Sequence, residues 1–153
     1  MSQVPDIIQS DIVTQQWDAF WNPLPESLNI GNEQTNTLVL TLPYIQGSAE
    51  ETALLKMMQA CKLSTENYKI VQILPEMQVA WHKIKQAINP ENIILLGVLP
   101  QQLGITVLLR LFNRNRFDGC IWIPGLSLTD MEKQPEAKKE LWLNGLKPTF
   151  VDA

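Results

Sequence analysis

Asn92-Ile93-Ile94-Leu95-Leu96, closed by Gly97, is the stretch on which the fold turns. After Asn92 come four aliphatic residues with no polar alternation, the pattern of a strand covered on both sheet faces. Such strands belong to parallel sheets with helices on either side. On one side in the chain, Thr37–Leu42 (TLVLTL) and Tyr68–Leu74 (YKIVQIL) are β-branched and aliphatic, and the first ends at Pro43. On the other, Gly119–Ile123 (GCIWI) reads as a strand closed by Pro124-Gly125. Helical patterns lie between them. Ser48 with Glu51 three residues on forms a capping box, predicting a helix to about Cys61 with Leu54, Leu55, Met58 and Cys61 inward. Met57 and Met58 there read as core filler. Pro75 is placed to open a second helix burying Met77, Ala80, Trp81, Ile84 and Ile88 until Asn89-Pro90. Pro135 opens a last one over Ala137, Leu141, Trp142 and Leu146, which Pro148 should stop. Leu99 to Arg116 is interrupted by Gly104, and its run ITVLLRLF fits strand or helix alike. The expectation is a three-layer α/β/α domain over residues 37–150, with a mainly parallel sheet of about four strands.

A chain of 153 residues, 45% hydrophobic and 18% charged, can bury one core without disulfides or a structural metal. No apolar run reaches the roughly 18–20 residues of a membrane span. The start, MSQVPDIIQSDIV, has neither the basic residues nor the apolar stretch of a secretory signal, so the expected location is the cytoplasm. A net charge of −4 argues against strong non-specific binding to nucleic acid, which rests on Lys and Arg meeting phosphates. The local exception is Arg110, Arg114 and Arg116, spaced by Asn113 and Asn115. They read as a solvated turn or as a basic patch.

Residues 1–30 differ from the rest and form a segment of their own. Placed on a helix, Ile8, Ile12, Trp17 and Phe20 fall close to one stripe, with Trp21 beside it, before the break at Asn22-Pro23-Leu24-Pro25. Such a segment either packs on its own domain or anchors another protein.

Catalytic signatures are sparse. His82, the one histidine, falls beside Trp81 among Lys83 and Lys85, on or near a polar helix face, without a second ligand or a nucleophile to activate. Cys61 and Cys120 sit in apolar surroundings and read as buried, reduced thiols. No phosphate loop, G-x-G-x-x-G or G-x-S-x-G occurs. Gly97-Val98-Leu99-Pro100 follows a central strand, where α/β sheets often bind ligands, but offers only apolar side chains and backbone. Glu50, Glu51, Asp118, Asp130 and Glu132 read as caps or solvated charges, with Asp130 the one kept as a candidate. No cofactor and no metal is expected.

Three segments carry a resemblance. GSAEETALLKMMQACKLSTENYKIVQI (Gly47–Ile73), NIILLG (Asn92–Gly97) and SLTDMEKQPEAKKELW (Ser127–Trp142) resemble, in order, segments of the uracil-DNA glycosylases, together covering roughly residues 37–147. The resemblance implies that family's fold. It also marks departures. Ser127, Leu128 and Thr129 stand where the glycosylase motif has His-Pro-Ser, and Thr41-Leu42-Pro43-Tyr44-Ile45 stands where it carries a water-activating acid. Without that imidazole, charge developing on the departing base loses its support, so the resemblance implies a fold without the chemistry. The cysteines that hold an iron–sulfur cluster in some glycosylases are missing too.

The same tail, Leu128-Thr129-Asp130-Met131 followed by Pro135, Ala137, Lys138, Leu141 and Trp142, is still more similar to psi subunits of the bacterial DNA polymerase III clamp-loader assembly. That resemblance implies an adaptor. Psi proteins reach the clamp loader with an N-terminal segment while the domain meets chi, which touches single-stranded-DNA-binding protein. The expected function is thus a non-catalytic adaptor whose partner-binding residues are Ile8, Ile12, Trp17, Phe20 and Trp21. The alternative is a nucleic-acid-binding relative of the glycosylases, with Arg110, Arg114, Arg116, Ser127, Thr129 and Asp130 as contacts.

Overall fold

The computed structural model describes residues 35–151. The N-terminal segment, with Ile8, Ile12, Trp17, Phe20 and Trp21, lies outside the described residues. Five strands, β1 (Thr37–Thr41), β2 (Tyr68–Gln72), β3 (Asn92–Leu96), β4 (Asn115–Phe117) and β5 (Cys120–Gly125), form one sheet in the order β2-β1-β3-β5-β4. All neighbours are parallel except β4 and β5. The fold is therefore α/β with a mixed, mostly parallel sheet.

The sheet is covered by helices on both faces, and strand alternation decides which residue goes where. On one face Leu38, Leu40, Ile93, Leu95 and Trp122 pack with Trp81, Ile84 and Ile88 of a helix at Trp81–Ile88. On the other, Val39, Ile94, Leu96 and Ile123 pack with Leu54, Met57 and Met58 of the helix Ala49–Ala60. We call these helices α2 and α1 respectively, in chain order. Met131 from α3 (Leu128–Lys133) and Leu141, just past α4 (Pro135–Glu140), complete the second face. As the unbroken NIILL run demanded, every residue of β3 is buried. Among the described residues no helix is long and apolar enough to cross a membrane.

Several expectations need correction. The sheet has five strands, because the ambiguous stretch ends in β4, a short antiparallel edge. The run ITVLLRLF is neither strand nor helix. A 3₁₀ turn at Pro100–Leu103 ends on Gly104 (φ 73°), and irregular backbone follows to Arg114. Pro124 and Gly125 do not close β5 but pair within it, opposite Leu95 and Leu96. Pro124 has no N–H to donate, and its carbonyl accepts from Phe112 N at 2.7 Å.

Helix α2 starts at Trp81, not at Pro75. The Gln102 side-chain amide donates to the carbonyls of Leu74 (2.9 Å) and Met77 (3.1 Å), and Val79 N donates to Gln102 O (2.8 Å). The segment before α2 is thereby tied to the 3₁₀ turn instead of coiling. At the far end Asn89 takes the left-handed conformation expected of a helix stop. In α1 the Ser48 hydroxyl accepts from Glu51 N as the capping box requires, while Glu51 reaches Gly47 N, one residue further back. Met57 faces inward there, and Leu55 is exposed.

Pro148 does not stop the last helix. From Leu141 the chain runs on in wider, π-helical turns to Val151. An α-helical turn would drive the Pro148 ring against the carbonyl four residues back, and a wider turn relieves that clash. Gly145 lets this segment approach the sheet: a Cβ there would lie 2.6 Å from Ile123 Cγ2.

Candidate functional site

Strands β1, β3 and β5 end side by side, and their following loops diverge. The chain leaves β1 for α1 on one face and leaves β3 for the 3₁₀ turn on the other. That divergence opens a crevice at the carboxyl edge, the usual binding position in α/β sheets. A cleft of 440 Å³ occupies it. Leu42 lines it after β1, Gly97 to Gln101 after β3, Pro124 and Gly125 at the end of β5, and Leu126, Ser127 and Asp130 after it. Val107, Leu108, Leu109 and Leu111, from the irregular stretch, form its rim.

Gly97 is the keystone. Its φ is 80°, and a Cβ would stand 2.8 Å from Ser127 Cβ and 2.9 Å from Leu42 Cδ1. The β3 turn therefore passes between the other two loops with only a hydrogen atom to spare. Gly97 N also donates to Gly125 O at 3.2 Å, and Leu42 N to Leu96 O at 3.2 Å.

The lining is mainly apolar, and much of its rim faces water. Leu108 is 93% exposed, Leu99 59%, and Val107 and Leu111 are also exposed. Asp130 is the charged residue among those lining the cleft. It sits in the first turn of α3, where an anion is favoured by the free backbone N–H groups. The Ser127 hydroxyl caps the same helix by accepting from Asp130 N at 3.2 Å. Residues 127–130 are thus a helix start, ahead of the helix that the sequence places from Pro135. Thr129 is exposed in the same turn.

The structure brings Ser127 and Asp130 into the cleft but not the arginines. Arg110 stands between the rim residues Leu109 and Leu111 without lining the cleft; Arg114 is exposed and Arg116 lies exposed on β4. One side chain joins them. Asn115 accepts from Arg110 N (2.8 Å) and donates to the carbonyls of Arg110 (3.0 Å), Asn113 (2.9 Å) and Trp122 (3.3 Å). The rim loop is therefore pinned to β5; Arg110 is exposed within it and Arg114 at its end, while Arg116 lies opposite Ile121, toward the amino edge of the sheet. Sequence reasoning found the Gly97 turn and missed the rim. Consecutive apolar residues were the available signal, and they were read as an element.

His82 is exposed on α2. Cys61 and Cys120 are buried free thiols, as expected; burial pushes the Cys61 thiol up to about 12 and raises that of Cys120. At the opposite, amino edge of the sheet, a polar hollow of 460 Å³ is lined by Asn36, Lys85, Glu91 and their neighbours. Compared with known proteins, the chain matches no family model and no curated sequence.

Proposed function

We propose that this chain is a non-catalytic adaptor, a psi-like subunit of a clamp-loader assembly acting in the cytoplasm on a three-layer, uracil-DNA-glycosylase-like domain. The observation that carries the reading is the cleft: an apolar lining with exposed leucines at the edge where α/β sheets bind. Exposed leucines grouped on a pinned loop suit a protein partner, which gains by covering them. The resemblance to the glycosylases adds a second support. Leu42 and Ser127, which line the cleft, stand where those enzymes carry their acid and histidine segments, and Ser127 is engaged as a helix cap. In this reading the N-terminal residues Ile8, Ile12, Trp17, Phe20 and Trp21 anchor one partner, and the domain meets another.

A second reading, nucleic-acid binding, is favoured by the clustered Arg110, Arg114 and Arg116. It is weakened by Asp130, an anion in the cleft where a phosphate or an extruded base would have to enter.

Affinity capture of the tagged chain from its native cells, read by mass spectrometry, tests the proposal. Clamp-loader or single-strand-binding proteins should come down, and Trp17→Ala with Trp21→Ala should lose them while the domain stays folded. Nucleic acid without those proteins would favour the second reading. Loss of the folded domain in the double variant would overturn the anchor assignment.

A further inference from the structure

The charge of this chain is segregated. Residues 1–34 contain Asp6, Asp11, Asp18, Glu26 and Glu33 and no lysine or arginine; all 12 basic residues come later. Two of those aspartates, Asp11 and Asp18, are interleaved with Ile8, Ile12, Trp17, Phe20 and Trp21. The cleft edge presents the complement: apolar Leu99, Val107, Leu108 and Leu111, with exposed Arg110 between rim residues and exposed Arg114 at the end of the same loop. Among the described residues neither of these two guanidinium groups is in an ion pair.

We propose that the cleft is the docking site of the chain's own N-terminal segment, residues 8–21, whose apolar side chains cover the rim leucines while its aspartates meet the rim arginines.

The chain length permits it. Thr35 N donates to Ile88 O at the amino edge of the sheet, and β1 carries the chain five residues toward the cleft edge. That separation is roughly 17 Å at about 3.3 Å per residue. Residues 22–34, fully extended, reach roughly 40 Å at a similar rise. A tethered segment acts at an effective concentration of about millimolar, so even a modest contact is populated. Asp130 fixes the orientation: an acidic segment avoids the cleft floor with its carboxylates and turns them outward to the arginines. Docked, the segment hides both the leucines and its own tryptophans until a partner displaces it. The docking does not depend on the adaptor reading, since it concerns only this chain.

Paramagnetic broadening in the full chain tests it. Thr106 is exposed beside the rim, and Thr106→Cys takes a nitroxide while Cys61 and Cys120 stay buried. Amide signals of residues 8–21 should be lost with the label active. They should return in the variant Arg110→Glu, Arg114→Glu, and also at roughly 1 M salt, where the Debye length is about 3 Å. Signals of 8–21 that persist beside the active label would overturn the proposal. So would broadening that needs labelled and observed chains to be different molecules, since the occupant is then a second copy. Broadening indifferent to charge reversal would overturn the role given to the arginines. Dispersed signals from the domain show in each case that the variant is folded.

Discussion

The two edges of the sheet are built from different materials. At the amino edge polar side chains hold one another: Asn36 donates to Glu91 (2.9 Å), Asn92 donates to Asn36 (3.3 Å), and Lys85 pairs with Asp118 (3.2 Å). Trp81 Nε1 donates to Asp118 (2.9 Å), and its ring meets that of Trp122 edge-on at 4.6 Å. At the carboxyl edge the loops meet around Gly97, and leucines face water. The first edge is satisfied within the domain. The second leaves apolar surface uncovered, and exposed apolar patches of this kind mark interaction sites. On our proposal stability lies at one end and recognition at the other, and each can be disturbed separately.

The largest effect belongs to Trp122→Ala. Trp122 is fully buried, packs on Trp81 and Phe117, and donates Nε1 to Phe117 O at 3.0 Å. Removing it leaves a cavity and an orphaned carbonyl, for an expected loss of about 3–5 kcal/mol in denaturant unfolding. A loss near 1 kcal/mol would mean that this aromatic chain does not hold the domain.

A smaller, pH-dependent effect follows at Asp118. The hydrogen bond from Trp81, and then that from Lys85, holds this carboxyl below its ordinary 3.8. A depressed carboxyl stabilises the fold above the unfolded-state value, and the contribution is lost as pH falls through the lower folded-state value. Asp118→Asn keeps a residue that tolerates φ 54° and removes the charge. The pair is part-exposed, so we expect about 0.5–1 kcal/mol lost at neutral pH. The gap between wild type and variant should be flat above pH 4 or so and narrow below it. A gap that widens in acid would reverse the assignment.

Much of this frame is legible in the sequence. β3 matches its reading residue for residue, and β1, β2 and β5 differ from theirs by a few residues at the ends. These strands are apolar, bounded by turns, and buried, so local pattern and global burial agree. The misses share another cause. β4 is three residues long and exists because it pairs with β5, which no local window reveals. The start of α2 was lost to Gln102, some 25 residues away from the carbonyls it takes. Ile105 to Phe112 divides its apolar residues between the core, where Ile105 and Leu109 pack, and the cleft rim. A run that serves two surfaces has no single period, so the half of the site formed by Leu108 and Leu111 was not readable as a site.

Leu108→Asp should produce the smallest change in stability and thereby separates the two edges most cleanly. A side chain 93% exposed adds little to folding, because burial is what makes a leucine favourable. At roughly 1 M salt, where the docked segment is released, unfolding should shift by no more than about 0.5 kcal/mol, the range of a surface substitution. A fully covered leucine contributes about 1.5–3 kcal/mol, a contribution that folding of this domain leaves unused. If the carboxyl edge is the recognition edge, that contribution appears on docking, and an aspartate beside Asp130 removes it from any occupant of the cleft. Unfolding in denaturant and the nitroxide measurement, made on the same variant, read the two effects apart. A stability loss as large as that of Trp122→Ala would place Leu108 in the core and erase the difference between the edges.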